Sequence, residues 1–197
     1  MFLAKNNLGQ GLIEVIVAIA IIASGLTAAL SLTSTATKGS RISTQQIVAA
    51  NLAREGVEIV RNIRDSNWLQ NNNWLAGLVN GTDYNGVLRY NQSTDTWSID
   101  FTSNAMGNNT ELVRNASGRY LSILDDPNGY KTGFNRFLEM ALICENPSNN
   151  NIVLRYTGQS CPNGYTNIGL KVISQVDWLE DGKTKTFMIE ENLYNWH

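Results

Sequence analysis

The chain has 197 residues, a formal net charge of −2 and two cysteines. After Gln70 there are 9 Lys and Arg against 13 Asp and Glu, a formal charge of −4, which argues against a uniformly basic face for nucleic acid. The only histidine, His197, is the last residue, so neither a Ser/His/Asp set nor a His/Cys metal cluster is expected.

The most informative stretch follows a short polar start that contains Lys5. Gly9-Gln10-Gly11-Leu12-Ile13-Glu14 leads into an apolar run from Val15 to Leu32 without charge or proline. At about 1.5 Å per residue, a helix over Leu12 to Leu32 is roughly 31 Å long, enough to cross a bilayer. A carboxylate at the head of such a run costs on the order of a few kcal/mol if it reaches hydrocarbon, so Glu14 calls for a compensating partner. An ordinary secretory signal has a shorter apolar core and no acid at its head. A plain signal anchor accounts for the length and for Lys5, but leaves Gly9 and Glu14 unexplained.

This beginning resembles the class III signal of type IV pilins and pseudopilins, in which a prepilin peptidase cuts after the glycine and methylates the new amino terminus. The resemblance implies a leader over residues 1–9, processing between Gly9 and Gln10, and an assembly role for Glu14, the fifth mature residue. It further implies other pilin subunits, prepilin peptidase and membrane lipid as partners. Before assembly the chain would be a single-pass cytoplasmic membrane protein, and afterwards part of a filament at the cell surface or in the periplasm. The family usually begins its mature chain with Phe, and major pilins often carry a proline about twenty residues on. Gln10 and the lack of proline before Pro127 favour a minor subunit.

Past Leu32, the Ser/Thr-rich stretch from Ser31 to Thr44, with Gly39, is only moderately helix-favouring and is expected to be a weak spot. Ile42, Val48 or Ala49, Leu52, Val57 or Gly56, Ile59 and Ile63 then recur at helical spacing. Arg54, Glu55, Glu58, Arg61, Arg64 and Asp65 are assigned to the remaining surface, with Arg54–Glu58 and Arg61–Asp65 as pairs spaced i,i+4. The helix is expected to span 10–69, with 12–32 in the membrane or filament core, and to end before Asn71-Asn72-Asn73.

From residue 70 to 197, Gly and Asn recur between short β-prone runs, as in an antiparallel β domain. Expected strands are 86–90, 96–101, 119–123, 134–144, 151–156, 168–179 and 183–193. Asp181-Gly182 supplies a hairpin signal between the last two. The fold class is therefore α+β: a long amino-terminal helix whose amphipathic second half packs on an antiparallel sheet. The tail also resembles the carboxy-terminal part of minor pilins and pseudopilins, through Val176-Asp177-Trp178, Asp181-Gly182 and Asn195-Trp196.

Cys144 and Cys161 both fall in the part that would be translocated. A disulfide is expected there, closing a loop worth about 3 kcal/mol in the chain-entropy model. The alternative is two unpaired thiols. Asp125-Asp126-Pro127-Asn128-Gly129 offers oxygens but lacks the spacing of a calcium loop and reads as a turn. No catalytic residue, metal ligand or cofactor is expected. Two functions remain open: a minor pilin or pseudopilin in a filament, and a membrane-anchored adhesin or ligand-binding domain that does not polymerise.

Overall fold

The computed structural model describes residues 10–103 and 105–195. Its element order is one helix, α1 (Gln10–Leu69), followed by β1 (Val87–Asn91), β2 (Thr96–Asp100), a short 3-10 turn, β3 (Glu111–Arg114), β4 (Tyr120–Ser122), β5 (Tyr130–Asn146), β6 (Asn151–Tyr156), β7 (Thr166–Glu180) and β8 (Lys183–Tyr194). The chain divides into two compact units, Met1–Gln45 and Gln46–His197. This is an α+β, pilin-like architecture.

In the first unit α1 is regular through the Ser/Thr-rich stretch, contrary to the expected weak spot. The reason is local. The hydroxyls of Thr33, Thr35, Thr37 and Thr44 each donate to the carbonyl four residues earlier, at 2.9 to 3.0 Å, which satisfies them without a departure from helical geometry.

In the second unit the later turns of α1 lie on a six-stranded antiparallel sheet of order β4-β3-β5-β7-β8, with β6 also paired to β5. From α1, Val57, Ile59 and Val60 pack against Leu138, Met140, Leu170, Val172 and Leu193 of the sheet. About two helical turns earlier, Ala49, Leu52 and Ala53 meet Phe134, Val176 and Trp178. Each large apolar side chain buried here contributes roughly 1.5–3 kcal/mol. Strand β7 shows the alternation that makes this possible: Val172, Ser174, Val176 and Trp178 are all buried on the side facing α1.

The helix approaches the sheet most closely at Gly56. A Cβ there would fall inside contact distance of Ser174 Oγ, 3.1 Å from Ser174 Cβ and 3.4 Å from Leu138 Cδ2. Arg64, assigned to the surface by its charge, is in fact buried. Its guanidinium lies 4.5 Å from the Trp68 ring centroid, and Nε donates to Asp65 Oδ1 at 2.9 Å. Arg61 pairs with Glu58 and with Glu191 of β8, in place of the expected Asp65.

Asn71 ends the helix in the left-handed region, at φ 55°, with Asn72 N–H reaching back to Asn67 O at 2.8 Å. Asn67 Nδ2 then donates to Trp74 O and Ala76 O, folding the following loop back on the helix. The β7–β8 turn has two residues, Asp181 (φ 48°) and Gly182 (φ 74°), both in the conformation that a type I′ hairpin needs.

Strand β3 is absent from the expected set. It is four residues long and pairs on both sides, with β4 and with β5. The hairpin β1–β2 forms its own two-stranded sheet, tied to β5 by reciprocal hydrogen bonds between Gly86 and Leu138, each 3.0 Å. A disulfide joins Cys144, at the end of β5, to Cys161 between β6 and β7, with 5.7 Å between Cα atoms.

Candidate functional site

Gln10 is the first residue of α1 and Glu14 stands four residues on, so the two are one helical turn apart, about 6 Å along the axis, on one face. Glu14 is exposed, and apart from Gln10 its helical neighbours three and four residues away, Gly11, Val17 and Ala18, are apolar or lack a side chain. Its carboxylate is near the helix amino terminus, where the macrodipole favours negative charge. Gly9 and the rest of the leader lie outside the described residues.

Beyond Glu14, the apolar side chains are exposed on every side of the helix. Ile16, Val17, Ile19, Ile21, Ile22 and Leu32, which between them point all round the helix, each keep at least half of their surface open. Among the described residues, α1 is the one helix long and apolar enough to span a membrane. A helix that is hydrophobic all round needs lipid or other helices around it. The arrangement therefore holds one exposed acid at the head of a surface that water does not satisfy.

The second unit carries polar clusters that residue spacing did not reveal. Arg136, on the β5 face toward α1, is 2% exposed. It donates through Nη1 to Glu55 Oε2 at 2.7 Å and to Leu52 O at 3.3 Å. Asp125, considered as a calcium-loop residue, turns inward to Arg89 Nε at 2.5 Å and to Tyr90 N–H at 2.9 Å. Arg89 Nη1 also reaches Asp100 Oδ2 at 3.0 Å, and Nη2 reaches Leu124 O at 3.2 Å. A guanidinium thus takes the place a cation would need. Among the described residues no group of three or more His, Cys, Asp or Glu side chains is arranged to hold a metal ion.

The charges of this cluster reinforce one another. Burial works against the Arg89 cation, but the hydrogen bonds and charges of Asp125 and Asp100 outweigh it and raise its pKa. The Thr102 hydroxyl, then its backbone N–H and Arg89, hold the Asp100 carboxyl below its ordinary value against the opposing effect of burial.

The tryptophans have packing roles. Trp178 is buried beside Phe134, with 6.1 Å between ring centroids, and Trp97 packs at 5.0 Å from Tyr90. Trp68 lies under Arg64, and Trp74 packs against the main core. Trp196 and His197 lie outside the described residues. Glu190 and Glu191 pair with Lys171 and Arg61. The missed partners lie on segments far apart in sequence, so no local spacing could have found them.

No curated protein and no solved structure matches this chain. Residues 4–30 match the family model of the prokaryotic N-terminal methylation motif, which spans Gly9, Gln10 and Glu14. Together with the apolar helix that begins at Gln10 within it, this motif shows that the chain carries a type IV pilin-like prepilin signal, that of a membrane-anchored prepilin peptidase substrate of the pilin or pseudopilin type.

Proposed function

We propose that the chain is a structural subunit, of the minor pilin or pseudopilin kind, of a type IV pilus-like or type II secretion-like filament. The observation that carries this is the methylation motif running straight into a helix whose apolar surface is open all round. In this reading prepilin peptidase cuts between Gly9 and Gln10, and the mature helix leaves the cytoplasmic membrane to bundle with helices of other pilin subunits. Lipid covers the apolar surface before assembly and neighbouring helices cover it afterwards.

Glu14 then pairs with the amino terminus of a neighbouring subunit. Both charges are costly alone in an apolar setting, and each is compensated only on docking, which makes the pair a register device as well as a contact. The protein is not an enzyme in this reading. Its globular unit is the part displayed on the filament.

Intact-mass measurement of the protein from its native membrane, or from shed filaments, is expected to show a chain without residues 1–9. Detection of the uncut chain alone, with the peptidase present, would exclude processing and favour the non-polymerising adhesin. Glu14→Ala is expected to leave the globular unit folded and the chain in the membrane, while removing it from filaments. Normal incorporation of that variant would exclude the pairing.

A further inference from the structure

The β1–β2 hairpin has two faces. Leu88 and Ile99 enter the core from one, while Arg89, Asn91, Ser98 and Asp100 share the other by register. On that outer face is a cleft of about 840 Å³, bounded also by Asn80, Asp83, Phe101 and Asp125. The volume is in the range of small-ligand sites.

The floor of the cleft is already fixed. All three guanidinium nitrogens of Arg89 are engaged, with Asp125, Asp100 and Leu124 O. The second oxygen of Asp125 accepts from Tyr90 N–H, and that of Asp100 accepts from both the N–H and the hydroxyl of Thr102. An incoming anion therefore finds no open face on Arg89, and a metal ion would have to displace Arg89 from its carboxylates. Two carboxylates face the one guanidinium and Asp83 adds a third acid to the lining, which further disfavours anions.

What the rim offers is different chemistry. The primary amides of Asn80 and Gln92 and the hydroxyl of Ser98 are exposed, and each both donates and accepts. That bifunctional character matches alcohol groups, which also do both. Tyr90 and Phe101 also line the cleft, Tyr90 packed on Trp97 and Phe101 packed in part on the core, and aromatic residues beside such groups suit the C–H faces of a sugar. From this combination we propose that the cleft on the outer face of the β1–β2 hairpin is a binding site for a neutral saccharide. The site lies in the second unit and does not depend on filament assembly, so it stands or falls separately from the function proposed above.

The test uses the full chain in lauryldimethylamine oxide micelles, because maltoside headgroups are themselves neutral saccharides. An array of neutral oligosaccharides is probed with this protein, and the strongest binder is titrated while backbone amide resonances are followed. The expected result is saturable binding with shifts clustered at Asn80, Gln92, Ser98 and Thr102. Asn80→Ala with Gln92→Ala, two exposed positions that leave Arg89 and its carboxylates intact, is expected to weaken that binding at least tenfold. Spermidine and inorganic phosphate are titrated in parallel. No array signal above background, shifts confined to other surfaces, unchanged affinity in the double variant, or a response at these residues to spermidine or phosphate alone would each overturn the proposal.

Discussion

The contact between Gly56 of α1 and Ser174 of β7 sets how closely the helix lies on the sheet, and Gly56→Ala tests it. The added Cβ would stand 3.1 Å from Ser174 Cβ, 3.4 Å from Leu138 Cδ2, and closer still to Ser174 Oγ. Ordinary contacts between carbons are about 3.5–4.0 Å. Because β7 is held between β5 and β8, the strand cannot retreat, and either the hydroxyl or the helix has to move. Overpacking of this kind costs about 1–3 kcal/mol, against a gain of about 1 kcal/mol in helix propensity. The expected net effect is a loss of about 0–2 kcal/mol.

Ser174 Oγ is fully buried and has no hydrogen-bond partner among the described residues, so Ser174→Ala is expected to be neutral or mildly stabilising. It also removes the atom that the new methyl would strike first. In the double variant the cost of Gly56→Ala should therefore shrink, with a coupling of at least about 0.5 kcal/mol, beyond what independent sites show. The assay is urea unfolding of a chain beginning at Lys38, with the four proteins compared by midpoint and slope. Each kcal/mol should also appear as a shift of about 2–4 °C in Tm. A Gly56→Ala variant more stable than the parent, as at an open helical position, would refute the close approach. So would strictly additive effects of the two substitutions.

Three further outcomes follow from the packing of the second unit. Glu55→Ala should destabilise more than Arg136→Met, because the first leaves a buried guanidinium without its charge partner and the second removes the charge while keeping the volume. Denaturant unfolding decides, and since Glu55 is partly exposed its loss should fall below the roughly 3–5 kcal/mol seen for fully buried pairs. Native protein should show no alkylation of Cys144 or Cys161 until a reductant is added, and reduction should cost about 3 kcal/mol; two thiols modified without reductant would contradict the bridge. The Asp100 carboxyl has a folded-state pKa below its ordinary value of 3.8, so it stabilises the fold above that value. The contribution is lost as pH falls through the lower, folded pKa, and Asp100→Asn should flatten the acid limb of stability against pH between pH 5 and the acid midpoint. An unchanged acid limb would count against the Arg89 cluster.

How much was legible in the sequence depended on whether the cause was local. The apolar helix head with its acid could be read from residues 9–32, because an uncharged run long enough to span a bilayer needs no tertiary context. The β7–β8 hairpin was equally plain, since Asp181-Gly182 fits a two-residue turn on its own dihedral preferences, and the alternation of Val172, Ser174, Val176 and Trp178 fixed which side of β7 is inward. Tertiary structure decided the rest. Four-residue β3 has no period of its own to announce it and is a strand because β4 and β5 supply its hydrogen-bond partners. Arg64 and Arg136 look like surface residues by type, and partners in the folded chain make their burial tolerable: Trp68 and Asp65 for the first, Glu55 and Leu52 O for the second. Asp100 and Asp125 stand 11 and 36 residues from Arg89, and no repeat or spacing encodes a meeting at that separation; it exists because the hairpin and the segment after β4 are folded onto the same place.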